Sequence, residues 1–338
     1  MFVALGSIAF LALFTTMPLA WLKLGVPWMP LVITFFVIPL LDAAVGARTP
    51  NPFIRVHPAL ARWIPRAQVP LQAVVLVAAV LTAPSLSWSE LVLFALAVGT
   101  VTGGVGITIA HELCHRANAL DRTLAKVLLL SVAYGHFVVE HVRGHHVRVA
   151  TLEDPATAPR GMNVYRFVLR SACGSFAHAW QLEAMRLSRL RRSAWHASNW
   201  VLSGTAMAAG LAVLAAGAGG TNGLVLFLLQ AIWAVILLEV VNYIEHYGLV
   251  RRRVGARYEP VDERHSWSAD FTVSNWMLFN LQLHSDHHAR MQQPYEALQS
   301  VAAAPRLPLG YPALVPVALL PALWFSLMDS RLPQEVVA

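Results

Sequence analysis

Six stretches of this chain are long and apolar enough to cross a lipid bilayer, and nothing else in the sequence restricts the fold as strongly. A spanning helix needs about 20 mostly apolar residues, because hydrocarbon offers no partner for exposed backbone N–H and C=O groups. Residues 2–22, 27–46, 69–86, 91–110, 200–218 and 223–243 meet that requirement. They fall into three pairs with short links at Lys23, at 84–90 and at 219–222, and the connections between pairs are longer and polar. The expected fold is therefore all-α and integral to a membrane: one embedded unit over residues 1–338 with six transmembrane helices. The first stretch lacks a basic leader and a small-residue cleavage site, so it reads as a retained helix rather than a signal peptide. A last apolar run, 311–328, carries Pro312, Pro316 and Pro321, and is expected to pack against the membrane face instead of crossing.

Composition agrees. Hydrophobic residues make up 57% of the chain and charged residues 13%, against about 25% charged in ordinary soluble domains. The formal net charge of +7 fits a basic cytoplasmic rim better than a nucleic-acid surface. With the N-terminus in the cytoplasm, the segments 47–68, 111–199 and 244–338 lie inside and hold 24 of the 25 Lys and Arg residues. That bias predicts a multi-pass protein of a bacterial-type inner membrane with both termini cytoplasmic. Cys114 and Cys173 are too few for a disulfide framework or an all-cysteine iron–sulfur centre.

Nine of the 14 histidines sit in four tight groups at the predicted cytoplasmic side. They are His111 and His115; His141, His145 and His146; His246; and His284, His287 and His288. On a helix, positions i and i+4 share a face, so His111 with His115, and His141 with His145, can each serve one metal. His284 with His287 can do the same at i and i+3. The second members of the doublets, His146 and His288, project about 100° from their neighbours and suit an adjacent metal. Nine imidazoles exceed one ion and suffice for two. Imidazole alone does not select among Fe, Zn, Cu and Ni, but structural zinc closes at four ligands, so the excess favours a redox pair, read here as two iron ions. Glu112, Glu140, Glu245 and Asp286 accompany these groups and are expected to orient ligating rings through their second N–H. One of them is expected to approach the metal directly. Asn242 belongs to the same surroundings.

Other features carry plainer readings. His57, His178, His196 and His265 read as structural, and His136 is open between that and support of the metal site. HExxH at His111–His115 also fits a zinc protease with Glu112 as base, which would leave most of the histidines without a role. Gly99, Gly103, Gly104 and Gly106 lie in an apolar helix and fit close helix packing better than a nucleotide loop. Arg251–Arg253 read as an anchor after the sixth helix. Asp42, a carboxylate near the end of a spanning segment, is either functional or at the headgroup level.

The motifs HxxxH, HxxxHH and HxxHH resemble the eight-histidine pattern of membrane desaturases and hydroxylases. Asn242–Leu249, NYIEHYGL, is similar to the signature of bacterial alkane 1-monooxygenases and their xylene monooxygenase relatives, as are EHVRGHH at 140–146, LQLHSDHH at 281–288, LLDAAVG at 40–46 and LPLGY at 307–311. The resemblance covers about residues 27–332. Leu283 and Arg48 depart from the family pattern. The resemblance implies a six-helix membrane enzyme whose nine histidines hold two irons. It implies insertion of one oxygen atom from O2 into the terminal methyl of a medium-to-long-chain alkane, with electrons from rubredoxin and its reductase. An alkyl-aromatic methyl, of the xylene or cymene type, and lipid desaturation are the alternative reactions; a metal transporter or sensor is the non-enzymatic one. The substrate is expected to enter from membrane lipid through an apolar channel walled by Phe35 and Phe36. No catalytic residue is expected beyond the metal site, and Cys114 is given no role.

Overall fold

The computed structural model describes residues 2–47 and 57–333, with side chains from residue 11 onward; Arg48 lies outside the described residues. The chain is mostly helical, with one hairpin of two-residue strands, Arg253–Val254 and Arg257–Tyr258. The first two apolar stretches form helices at Phe2–Lys23 and Met29–Val45. The third begins well before the expected Val69, as Pro58–Thr82. The apolar count missed its first turns because they hold Arg62, Arg66 and Gln68. Pro58 sits at the first helical position, where its missing N–H leaves nothing unsatisfied, and His57 caps the turn by accepting from the Ala59 N–H at 3.3 Å.

The fourth helix runs from Trp88 to His115. Ser87 and Glu90 form a capping box at its start. A π-turn at Thr102–Ile107 interrupts it before the HExxH segment. The fifth and sixth stretches are the two halves of Trp200–His246, broken at Gly220, where φ is 59° and ψ is −154°. A Cβ placed on Gly223 would stand 2.5 Å from the Ala215 carbonyl oxygen. In a straight helix those residues would lie about 12 Å apart, so the chain folds back on itself here. Gly220 supplies the left-handed backbone the reversal requires.

Among the described residues, Pro58–Ser85, Trp88–His115 and Trp200–His246 are long and apolar enough to cross a membrane, and Leu11–Lys23 and Met29–Val45 are shorter apolar helices. Their outward faces are apolar too. Val74, Val77 and Leu81, on one side of a helix, are 66%, 59% and 60% exposed. A water-facing helix would place polar residues there, so this stripe is a lipid face and the chain is a membrane protein. Inside the bundle, polar side chains satisfy one another. Thr15 donates to Gln68, Gln68 to Gln72 and Gln72 to Ser131. Gln230 accepts from Thr102 and donates to the Ser131 carbonyl. Such bonds tie helices together where association gains little from the hydrophobic effect.

The segments expected in the cytoplasm cover one end of the bundle. They include the helices Ala119–Ser131, Val164–Arg189, Thr272–Met277 and His284–Ala289. Asp42 resolves as a structural carboxylate. It is buried, and its Oδ1 accepts from the N–H groups of Val273 and Ser274 at 2.9 and 3.1 Å, capping the Thr272–Met277 helix. The proline-rich run forms two short helices, Tyr311–Ala318 and Pro321–Met328. Their Trp324 packs against Tyr243 and Tyr247, at the site end of the kinked helix.

Candidate metal centre

The nine histidines of the four sequence groups converge at the covered end of the bundle. Each is delivered by the end of an element. His111 and His115 close the Trp88–His115 helix, and His246 is the last residue of Trp200–His246. His141 and His145 lie in a π-turn and His146 begins the turn after it. His284, His287 and His288 come from the six-residue helix His284–Ala289. Gly248, with φ of 72°, turns the chain sharply after His246 and donates to the Ala158 carbonyl at 2.8 Å. The Trp267 N–H on the Glu245 carbonyl and the indole N–H on the Tyr247 carbonyl fix that helix end. Ser268 pins the short helix by accepting from the Ser285 N–H at 3.1 Å.

The rings sort into two sets, His111, His115, His141, His146 and His287 in one, and His145, His246, His284 and His288 in the other; within each, the available ring nitrogens all lie within 4.8 Å of one another. The doublets split as their 100° offset requires: His145 and His146 serve different sets, and so do His287 and His288. Two expectations need correction. His141 and His145 do not share a set, nor do His284 and His287. His141 and His145 lie side by side with ring centroids 5.3 Å apart, but the π-turn between them changes the angular offset that an α-helix would give. The two sets are adjacent, so neighbours on one face reach different centres.

Within the sets, Nε2 atoms face each other directly. The separations are 3.0 Å for His115–His141, His141–His146 and His284–His288, 3.2 Å for His146–His287 and His246–His284, and 3.3 Å for His145–His288. Each neutral imidazole Nε2 carries at most one proton, so these runs of mutually facing Nε2 atoms, 115–141–146–287 and 246–284–288–145, hold more contacts than hydrogen bonds can fill, and a cation among them would satisfy the rest. Two nitrogens at about 2.1 Å from an ion and at right angles stand about 3 Å apart, which is the spacing here. His111 adds a buried Nε2 without a protein partner. Burial holds His141, His146, His284, His287 and His288 well below the usual imidazole range, with neighbouring rings adding to the effect. Burial thus favours the neutral form, whose lone pairs ligation requires. The donor set fits a metal site.

The surrounding carboxylates divide less simply than expected. Glu245 Oε2 lies 3.2 Å from His284 Nε2 and so stands at the second set itself. Glu140 accepts from His178 at 3.2 Å, which gives His178 its structural role. Glu112 is taken by Arg116 at 2.9 Å and by the Tyr295 N–H at 3.2 Å, so no free base stands where a protease would need one. Asp286 is engaged by Arg290 and by the Gln299 N–H rather than by a ligating ring. Asn242 donates to Glu239 at 3.2 Å, and Glu239 accepts from the Tyr134 hydroxyl at 2.6 Å. His136 packs on Tyr134 and Phe176.

Sequence reading missed Asp154. It is buried, and its Oδ2 accepts from His145 Nδ1 at 2.9 Å and from the Thr157 hydroxyl at 2.7 Å, while Oδ1 takes the Ala156 N–H. Burial disfavours a charge on His145, but this carboxylate outweighs it and raises the ring's proton affinity, the arrangement that fixes a ligand's tautomer.

An apolar pocket reaches both sets. Gly104, Ile107, Thr108, Leu237, Leu238 and Val241 line it on two facing helices, and His111, His141, His284 and Glu245 close one end. Phe35 and Phe36 are not among its lining residues, and Phe36 is exposed on the outer surface.

The fatty acid desaturase family model matches residues 86–317. The chain is 38% identical to alkane 1-monooxygenase 2 of Pseudomonas aeruginosa over 332 residues, covering 93% of this chain and 85% of the relative. It is 39% identical to an alkane 1-monooxygenase of Pseudomonas putida, covering 89% and 77%. A more distant relative, at 29% identity over 69% of this chain and 62% of its own, is the xylene/toluene monooxygenase hydroxylase component of Pseudomonas putida. With its paired histidine sets lining an apolar pocket, the chain belongs to the alkane 1-monooxygenase family, within the fatty acid desaturase family.

Proposed function

We propose that this protein hydroxylates the terminal methyl group of a medium-to-long-chain alkane, using two iron ions held by the nine histidines. The observation that carries the reading is the pocket's lining: rings from both sets, His111 and His141 from one and His284 from the other, face the same apolar space. His111, His115, His141, His146 and His287 would hold one iron, and His145, His246, His284 and His288 the other. Glu245, whose Oε2 lies 3.2 Å from His284 Nε2, would add a carboxylate oxygen to the second. Iron held there would supply the activation of O2: with two electrons and two protons brought in from a donor protein and solvent, one oxygen atom would enter the C–H bond and the other would leave as water. The protein's part is positional. Leu237, Leu238, Val241 and Ile107 hold an alkyl chain without polar partners and exclude water. Asp154 fixes the His145 ring, and Ser266 stands 3.4 Å from the Nδ1 of His246. Asn242 lines the pocket beside the rings, held by Glu239.

The wider reading is one membrane-embedded unit of six spans in a bacterial-type inner membrane, termini in the cytoplasm and histidines on that side. Electrons would arrive from rubredoxin and its reductase, and substrate from the bilayer. The xylene/toluene relative supports a second reaction at the same site, methyl hydroxylation of an alkyl-aromatic. Iron-loaded membranes given rubredoxin, its reductase, NADH, O2 and a mixture of n-octane, n-dodecane and p-cymene separate the two. Terminal alcohols from the alkanes are the expected result. Oxidation of p-cymene alone would replace the alkane reading, and an alkene in membrane acyl chains would mark a desaturase.

A further inference from the structure

The helix that ends in HExxH holds Gly99, Gly103, Gly104 and Gly106, and three of these are packing residues. A Cβ on Gly99 would stand 2.6 Å from the Gln230 carbonyl oxygen, one on Gly103 would stand 2.8 Å from Ala234 Cα, and one on Gly106 would overlap the Gln72 amide. Gly104 differs. A Cβ there meets nothing within 4 Å, its φ is not in the left-handed region, and it lines the apolar pocket. Neither helix packing nor backbone conformation therefore asks for glycine at 104. Seven residues separate Gly104 from His111 along the helix, about 10 Å at 1.5 Å per residue, so Gly104 lies at the pocket's end away from the rings. Thr108, one turn closer, donates its hydroxyl to the Gly104 carbonyl at 2.7 Å. That bond satisfies the hydroxyl within the helix and keeps this wall apolar.

We propose that Gly104 sets the length of substrate the pocket admits: the space left by its missing side chain is where the distal part of a long alkyl chain runs. A larger residue there shortens the pocket from the far end and leaves the histidine end untouched. A long chain then no longer seats its terminal methyl against the rings, and a short one still does. The proposal rests on the alkane reading for its catalytic consequence but not for its binding consequence, which keeps the two separable.

The test compares the full-length protein with Gly104→Ala, Gly104→Val and Gly104→Leu. Three quantities are read: iron per chain, the ratio of dodecanol to octanol from an equimolar alkane mixture, and the rise in Tm that each alkane produces in iron-free protein. Iron content is expected to stay at the wild-type level. The dodecanol-to-octanol ratio is expected to fall with side-chain size, by about tenfold or more for leucine, since one methylene of pocket space is worth roughly 10-fold or more in discrimination. The dodecane-induced Tm rise is expected to vanish in Gly104→Leu while the octane-induced rise remains. An unchanged ratio and an unchanged Tm response in the variants overturn the proposal. Should Gly104→Leu fail to fold, Gly104→Ala decides, because its single Cβ enters open space. If the wild type oxidises no alkane yet dodecane stabilises it in a Gly104-dependent way, the reaction is wrong and the pocket assignment stands.

Discussion

Asp154 shows what one residue contributes around a metal site and why sequence alone does not display it. The histidines announce themselves by spacing, since HxxxH and HxxHH have no common structural use. Asp154 sits in a loop beyond the π-turn with no periodic relation to His145, and only the fold brings the two within 2.9 Å. Asp286 shows the converse: it lies between His284 and His287 in sequence, but Arg290 and the Gln299 N–H take its carboxylate. Replacing Asp154 with alanine is expected to weaken metal affinity by about 10- to 100-fold, read as iron retained against a graded chelator, whereas Asp286→Asn should change it little. Loss of a ligand goes further. His246→Ala is expected to lower iron per chain and abolish turnover, and wild-type iron with wild-type activity in that variant would exclude His246 from the site. Cys114 donates its thiol to the His111 carbonyl and faces no ring nitrogen, so Cys114→Ala should keep both iron and activity.

Among the elements, the helices were legible where apolar runs were uninterrupted, and the boundaries failed where polar residues belong to a helix. Pro58–Thr82 is the example: its Gln68 and Gln72 are buried and bonded across the bundle, so polarity there does not mark a link. The turn at 219–222 was visible as a run of small residues, and Gly220 makes it. The π-turn at His141–His145 left no trace in the sequence, which is why the division of rings between the sets was only partly foreseen. Close packing at Gly103 predicts that Gly103→Leu costs about 1–3 kcal/mol or more through overpacking, read as lower Tm and lower yield. Glu183 gives a pH-dependent case outside the membrane. Burial opposes its charge, but hydrogen bonds from Arg186, the Trp200 N–H and Arg143 hold its carboxyl at about 2, below the usual value of about 4.3. The stability this supplies is present above pH 4.3 or so and is lost as pH falls toward 2. Glu183→Gln should therefore lower Tm at neutral pH, with the gap to wild type closing through that window; a pH-independent gap would mean the charge is not what matters.

The molecule as a whole is asymmetric. The apolar helices present lipid-facing stripes such as Val74, Val77 and Leu81, while all nine clustered histidines gather in two adjacent sets, and nearly all the basic residues fall in the segments proposed to be cytoplasmic. Under the proposed function, the apolar pocket lined by rings of both sets would receive a hydrophobic substrate from the bilayer, and electrons would arrive from the aqueous side. The proposed topology predicts that single cysteines introduced at exposed positions 153 and 192, in a background lacking Cys114 and Cys173, react with an impermeant thiol reagent only in inside-out membrane vesicles. Labelling in right-side-out vesicles would reverse the orientation.

Two irons held by two adjacent histidine sets is the proposal on which the catalytic reading depends. Its most direct test is iron stoichiometry with Mössbauer spectroscopy on purified protein loaded with 57Fe, in wild type and in variants that lose one ligand from each set, His141→Ala and His246→Ala. The prediction is two irons per chain in nitrogen-rich surroundings, with each variant perturbing a different part of the spectrum. A single iron per chain, or two irons whose signals are unaffected by both substitutions, would contradict it.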